Sequence, residues 1–351
     1  MKRLRLAIFT LAGVAFLFFN LRLLGGDGPP TEVNLLESSH QAQFPALLQA
    51  GSRNWDNRYL ITIDGPPYMV PDKPGVVLYD RYGAVARQAT IWLEGAASVI
   101  VEDAAVSPSG NLVVAGGALN KDGAVATFIA EIGSDDRISR IVRTTPFTPT
   151  SVCALEDGTV WAYGFDRDAH DMLVEDSPRL RQYSFEKGRL QAVLNTSTLP
   201  DAESDREAWR LAGAKYVGQV NFRCNSKTVV LYNGRTGDLI EYELQRNALK
   251  LSKVAAVPVG RSFHITGFAL TDSGEIFASF HDASNPKAPV SGLFRLSRDS
   301  SSGAKWVAVP GTSGLYLKDS PIHRLWGADG DALVYSRLND GRLFWTKQAS
   351  K

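Results

Sequence analysis

The sequence predicts an all-β protein that forms a single β-propeller, with six blades expected and seven as the alternative. Three observations predict it. A hairpin pattern recurs along the chain, a second pair of strands follows each copy, and helical patterns are almost absent. The clearest hairpin is 101–117, where two short strands flank a tight turn at 107–110. Four strands in each repeat are the usual content of a propeller blade.

Echoes of this hairpin have Gly, Asp, Ser or Asn in the turn, and such residues accept the positive φ of tight turns. Gly110 and Gly158 are 48 residues apart, and so are Ser226 and Gly274. Gly330 follows Gly274 after 56 residues. This period is typical of propeller blades. The four echoes are 152–165, 222–232, 268–282 and 325–335.

The propeller is predicted to span 58–347 and to be followed by a short tail at 348–351. Its last blade has only about three recognisable strands, whereas an extra strand is expected near Tyr59. We therefore predict that a strand from the other end of the chain closes the ring, which would leave no sheet edge exposed. The six predicted blades are 58–92, 101–143, 150–194, 218–255, 264–309 and 321–347.

Residues 1–26 carry a basic start, with Lys2, Arg3 and Arg5, ahead of an apolar run that reaches Leu24. This pattern predicts a signal anchor helix, or a signal peptide if it is cleaved. Because the basic side stays in the cytoplasm, the body is expected outside it, in the cell envelope or secreted. Residues 27–57 are expected to be a linker with a short helix near 44–50.

The charge of the body gives no reason to expect nucleic-acid binding. Beyond residue 26 the chain has 34 basic and 37 acidic residues, so its net charge is −3. Nucleic-acid-binding domains usually carry a basic patch instead.

One helical insertion is predicted at 195–217, between the third and fourth blades. A Thr cap at Thr198 and a proline at Pro200 predict a helix that continues to about Ala212. Two placements are open. The helix either packs on the side of a blade or covers one end of the ring as a lid.

The two cysteines, Cys153 and Cys224, occupy equivalent positions on the inner strands of adjacent blades. Export would permit a disulfide. Neighbouring inner strands are, however, expected to diverge beyond the limit of about 7 Å between Cα atoms. Two buried thiols are therefore predicted.

Propeller topology predicts a polar site at one rim of the ring, where the inner strands start and the second strands end. Four of the five histidines map to this rim. Arginines there could clamp a carboxylate or phosphate, and histidine with acidic residues could ligate a metal. The candidate ligand-binding residues are Arg223, His264, His281, Asp282, His323, Arg324, Asp166 and His170.

The copies at 104–116 and 268–282 resemble the blades of NHL-repeat and gluconolactonase-type propellers. In those families a small apolar strand, an Asp/Ser-Gly turn and an aliphatic strand follow in this order. The resemblance covers roughly 58–347 and implies either an extracytoplasmic binding or scaffold protein or a metal-dependent lactonase. The lactonases use a Glu, Asn and Asp set at the inner strands. For this chain the metal set would be Glu102, Asp103, His264 and His323, with Ca²⁺ or Zn²⁺ as the ion.

Two functions are therefore predicted. The main prediction is a membrane-tethered binding or scaffold module for an envelope protein, a glycan or a small ligand, with no catalysis and no required cofactor. The alternative is a metal-dependent hydrolase or lactonase. Motifs of P-loop enzymes, nucleophile-elbow serine hydrolases, zincins and C-x-x-C redox proteins do not occur.

Overall fold

The computed structural model describes residues 33–44, 52–63, 74–174, 177–194, 220–225, 227–233, 239–245, 248–255, 263–282, 292–297, 305–310, 312, 324–337 and 341–348. Within these ranges every regular element is a strand, and none is a helix that could cross a membrane. The predicted anchor at 1–26 and the predicted insertion at 195–217 lie outside the described residues.

The first described strand, β1 (Val33–Gln43), precedes three blades that each contain four consecutive antiparallel strands. Blade 1 contains β2 (Ser52–Asp56), β3 (Tyr59–Ile63), β4 (Gly75–Tyr79) and β5 (Val85–Thr90). Blade 2 contains β6 (Ala96–Val106), β7 (Leu112–Asn120), β8 (Val125–Ile132) and β9 (Ile138–Arg143). Blade 3 contains β10 (Phe147–Ala154), β11 (Thr159–Asp166), β12 (Leu180–Ser184) and β13 (Arg189–Leu194).

The remaining strands form three more blades, so the ring has six and not seven. Blade 4 contains β14 (Val220–Cys224), β15 (Thr228–Asn233), β16 (Leu239–Gln245) and β17 (Ala248–Ala255). Blade 5 contains β18 (Phe263–Leu270), β19 (Ile276–Asp282), β20 (Gly292–Ser297) and β21 (Lys305–Ala308). Blade 6 contains β22 (Arg324–Asp329), β23 (Ala332–Ser336), β24 (Arg342–Gln348) and, as its outermost strand, β1.

The hairpin turns that predicted the repeat are confirmed. The four turn glycines have φ angles between 63° and 88°, in the left-handed region that favours glycine. They are Gly110, Gly158, Gly274 and Gly330.

The pairing of β1 with β24 closes the ring, with His40 opposite Trp345. Closure by a strand from the other end of the chain is thus confirmed, but the strand near Tyr59 does not provide it, because β3 is an inner part of blade 1. The predicted linker at 27–57 is corrected accordingly, since β1 and β2 lie within it. An outermost strand half exposed to solvent needs few apolar residues, and β1 carries exposed Ser39 and Gln41.

Aromatic packing holds this closing blade to blade 1. The buried Trp345 ring lies 5.1 Å from the Trp55 ring in an edge-on contact, and Phe44 packs on both. The indole N–H of Trp345 donates a 3.0 Å hydrogen bond to Asp329. Gly327 lets the inner strands approach, because a Cβ there would collide with the Trp55 carbonyl oxygen.

Carboxylates join the inner strands of blades 1, 2 and 3. The backbone N–H of Val106 donates to Oδ2 of Asp56 at 2.8 Å, and that of Val152 donates to Oδ2 of Asp103 at 2.9 Å. An innermost strand has one edge without a neighbouring strand, so its N–H groups need other acceptors. Each carboxylate therefore satisfies such a donor on the next blade.

Blades 3 and 4 are joined by a disulfide between Cys153 and Cys224, whose Cα atoms are 5.9 Å apart. The prediction of two buried thiols is therefore wrong. The reason is geometric, since inner strands of neighbouring blades converge at the axis at these two positions. The connection between these blades is also the longest one, from Leu194 to Val220.

The junctions on the other side of the ring use hydrogen bonds between turns. Asn225 donates from Nδ2 to the Thr271 carbonyl at 3.3 Å, which joins blade 4 to blade 5. The Ser273 N–H donates to Oδ1 of Asp331 at 2.8 Å, which joins blade 5 to blade 6. Each blade is thus linked to the next near the axis.

Candidate functional site at the propeller axis

A cluster of three charged side chains lies at the axis of the ring. Asp56 ends β2 in blade 1, Asp103 lies on β6 in blade 2, and Arg223 lies on β14 in blade 4. The guanidinium of Arg223 interacts electrostatically with both carboxylates. Three strands that are far apart in sequence thereby bring one guanidinium within electrostatic range of two carboxyl groups, and we call this set the axial triad.

Local backbone geometry aims the two carboxylates. Asp56 precedes the two-residue turn Asn57-Arg58, in which both residues have positive φ, as expected for a tight hairpin turn. Asp103 follows a β-bulge between Val101 and Asp103. A bulge redirects the side chain next to it, and Asp103 reaches the inner strand of blade 3.

Burial dominates the electrostatics of the triad. It raises the pKa of the Asp56 carboxyl, while the charge of Arg223 and the Val106 N–H oppose the rise. Burial also lowers the pKa of Arg223, and Asp56 and Asp103 oppose that fall. A carboxyl with a raised pKa holds its proton more tightly than a free carboxyl and is therefore better suited to donate a proton as a general acid.

Arg223 has hydrogen-bonding capacity that the described residues leave unused. Its Nη1 donates to the carbonyl of Phe222 at 2.8 Å. Its Nε is buried and makes no hydrogen bond within the described part of the chain. Because a buried donor without an acceptor costs about 1–3 kcal/mol, an anion or a water molecule that accepts from this group would stabilise the site.

The predicted rim histidines are placed by backbone register. His264 on β18 and His281 on β19 are direct Cα partners, and Phe263 pairs with Asp282 in the same way. The start of β18 and the end of β19 therefore meet at one end of blade 5. Residue His323 lies outside the described residues, as do the side chains of His264, His281 and Asp282.

The other predicted site residues are engaged in local packing. The Arg324 guanidinium stacks 4.0 Å from the Trp326 ring centroid. Oδ2 of Asp166 forms a 2.5 Å ion pair with Arg181. His170 is exposed in a turn, where its backbone N–H donates to Asp168.

Two predicted positions differ from the structure. Arg223 and the pair Glu102 and Asp103 were placed at the starts of inner strands. Arg223 is instead the fourth of the five residues of β14, and β6 begins at Ala96, well before Glu102. Strand β6 thus extends beyond the start of the predicted hairpin at residue 101.

The structure describes the predicted metal set only in part, because His323 and the side chain of His264 lie outside the described residues. Glu102 is exposed, whereas the half-buried Asp103 bonds the Val152 N–H and lies in the field of Arg223. The positive charge of the Arg223 guanidinium opposes the binding of a metal cation at the Asp103 carboxylate. In the described ranges no three His, Cys, Asp or Glu side chains converge on a common point.

Asp56 is the member of the axial triad that the sequence did not single out. It fell in the predicted linker, although Asn54–Leu60 has the same strand–turn–strand pattern as the later hairpins. The signal was weak because its turn contains Asn57 and Arg58 instead of glycine.

No protein-family model matches the chain, and no curated protein sequence is significantly similar to it. Solved structures do match it. The periplasmic gluconolactonase of Pseudomonas aeruginosa is 14% identical, with 83% of this chain and 82% of that chain covered and a TM-score of 0.42.

Two further structures illustrate the range of these matches. A putative 6-phosphogluconolactonase from Bacteroides uniformis is 10% identical, with 79% of this chain and 89% of that chain covered and a TM-score of 0.39. A glutaminyl cyclase from Myxococcus xanthus is 9% identical, with 72% and 92% covered and a TM-score of 0.32. The predicted resemblance to gluconolactonase-like propellers is confirmed as a statement about fold.

Proposed function

We propose that the protein is a hydrolase of small lactones that binds its substrate at the axial triad. The observation that carries this proposal is the buried Nε of Arg223, which has no acceptor among the described residues and belongs to a guanidinium that interacts electrostatically with Asp56 and Asp103. A guanidinium held in this way is suited to a carbonyl oxygen that becomes negatively charged, and to the carboxylate of the product.

The chemistry assigns one role to each member of the triad. Asp103, whose charge Arg223 stabilises, takes a proton from water as the water oxygen adds to the lactone carbonyl carbon. Arg223 stabilises the resulting oxyanion. As the ring C–O bond breaks, Asp56 gives a proton to the leaving ring oxygen, a role that the upward shift of its pKa favours. The product is a hydroxy acid, and Asp103 returns its proton to Asp56 through solvent.

In the proposed reaction Arg223 supplies the positive charge that a metal ion would supply in the predicted alternative. The triad supplies positive charge from the chain itself, through the guanidinium of Arg223. In the proposed reaction the Asp103 carboxylate, and not a metal ion, activates the attacking water. If the protein is instead the predicted binding or scaffold module, the triad would bind a hydroxy acid but would not hydrolyse the corresponding lactone.

We further propose that the body of the protein works outside the cytoplasm, tethered by residues 1–26. The disulfide supports this location, because both cysteines of the chain are bridged and such bridges persist in oxidising compartments. The basic start and apolar run of residues 1–26 support the tether.

The test is hydrolysis of glucono-δ-lactone and of a panel of smaller lactones by the purified full chain. Removing one oxyanion donor typically lowers kcat by about 10²–10³-fold, so we expect a loss of that size for Arg223→Gln. The control is Arg295→Gln, which breaks a surface ion pair with Glu275 in blade 5 and should leave the rate within about twofold. Absence of hydrolysis for every lactone in the panel would contradict the proposal.

A further inference from the structure

The disulfide and two members of the axial triad are connected in a ring by a hydrogen bond, a covalent bond and an electrostatic interaction. Cys153 directly follows Val152, whose N–H bonds the carboxylate of Asp103. Cys224 directly follows Arg223, whose guanidinium interacts with that same carboxylate. The bridge between Cys153 and Cys224 therefore joins the strand that orients Asp103 to the strand that carries Arg223.

The disulfide gives strand β14 a covalent link to a neighbouring inner strand. This strand follows the longest connection between blades, and it is only five residues long. Among the described residues, blade 4 meets blade 3 through this disulfide and the apolar cluster around it, and it shares the Asn225–Thr271 hydrogen bond with blade 5.

The surroundings hold the bridge rigidly. Cys153 is buried with Trp161, Tyr242 and Phe222 in one apolar cluster, and Cys224 packs against it. A covalent bond embedded in packed side chains leaves the neighbouring backbone little freedom to shift. The position of Arg223, one residue from the bridge, is fixed with it.

We propose that the Cys153–Cys224 disulfide is a positioning element that holds Arg223 against Asp103, so that the site binds carboxylates when the bridge is formed and loses affinity when the bridge is reduced. The inference rests on the proposed function, since it assumes that the triad binds the hydroxy acid product. It adds that the redox state of the surroundings controls the site.

The experiment measures calorimetric binding of sodium gluconate to the oxidised full chain, to the same protein after reduction with dithiothreitol, and to Cys153→Ser/Cys224→Ser. Side chains in one network usually couple by the equivalent of about 2- to 150-fold in affinity. We expect reduction and double substitution to weaken binding about tenfold or more, and reoxidation of the wild-type chain to restore it.

Two comparisons separate positioning from general destabilisation. In an Arg223→Gln background, loss of the bridge should change gluconate affinity by less than about twofold, because nothing is left to position. Asp331→Ala, which removes the hydrogen-bonded link between blades 5 and 6, should leave the affinity unchanged. If the serine variant fails to fold by circular dichroism, Cys153→Ala/Cys224→Val replaces it.

The outcomes are distinct. Equal gluconate affinity with and without the bridge would overturn this inference and leave the proposed function standing. The same loss of affinity from Asp331→Ala as from loss of the bridge would also overturn it. Failure of the oxidised wild-type chain to bind gluconate would overturn the proposed function and this inference with it.

Discussion

The backbone N–H of Val106 donates a 2.8 Å hydrogen bond to Oδ2 of Asp56 across the junction of blades 1 and 2. The same carboxyl lies in the field of Arg223. One side chain thus joins two blades and belongs to the axial triad. Changes at this residue should therefore affect both the stability and the pH response of the ring.

We expect Asp56 to lower stability as the pH rises. Burial raises its pKa above the ordinary value of 3.8, so the folded chain binds this proton more tightly than the unfolded chain. The stabilisation is present below the unfolded pKa and is lost as the pH rises through the higher folded pKa. Relative to Asp56→Asn, the wild-type free energy of unfolding should fall as the pH rises above the ordinary pKa of 3.8, by about 1.4 kcal/mol for each unit of pKa shift.

Urea unfolding at several pH values measures this difference. Asparagine is the matched control, because it keeps an oxygen that can accept from Val106 and cannot titrate. Parallel pH profiles for the two proteins would show that the Asp56 carboxyl does not have the raised pKa described above.

Removal of the Trp345 side chain should weaken closure of the ring. Trp345 is 1% exposed and packs against Trp55 and against His40 of β1. Truncation of a buried tryptophan costs about 3–5 kcal/mol, so Trp345→Ala should lower the free energy of unfolding by that amount. Tyr82→Ala is the comparison, since Tyr82 is 69% exposed and also touches His40. It should change stability by less than about 0.5 kcal/mol, and equal losses would count against the closure role.

The buried ion pair in blade 3 should be far more sensitive than an exposed pair nearby. The side chains of Arg181 and Asp166 are 11% and 16% exposed, and Arg181 also stacks on Phe147. Breaking a buried pair costs about 3–5 kcal/mol, so we expect such a loss for Asp166→Asn in thermal or urea unfolding.

The matched variant for this pair is Arg167→Gln. Its partner Asp171 is 73% exposed, and such pairs contribute about 0–1 kcal/mol. A similar loss of stability in both variants would mean that Arg181 and Asp166 are no more protected from solvent than the surface pair.

The repeating part of the fold was predictable because its signals are local. A turn glycine such as Gly158 marks its hairpin whatever lies elsewhere in the chain, and the period of the turns predicts a propeller of six blades with seven as the alternative. Closure by the other end of the chain followed from the missing strand of blade 6. Strand β1 itself was missed, because an outermost strand can be as polar as a linker.

The site was less predictable, because it depends on contacts between distant residues. Asp56 and Arg223 are brought together only by the curvature of the whole ring, and no spacing in the sequence encodes that distance. The disulfide was missed for the same reason. Whether Cys153 and Cys224 lie within bridging distance is decided by how closely two blades approach at the axis.

The pairing of β1 with β24 has a consequence for how the molecule is made. A ribosome releases residues 33–43 long before residues 342–348, so the first strand has no partner while the other blades assemble. Its exposed edge is a place where a chaperone could bind or where two nascent copies could exchange strands. We expect completion of the last blade to be a late step of folding, because it pairs strands that are far apart in sequence. Removal of either strand should leave the ring open.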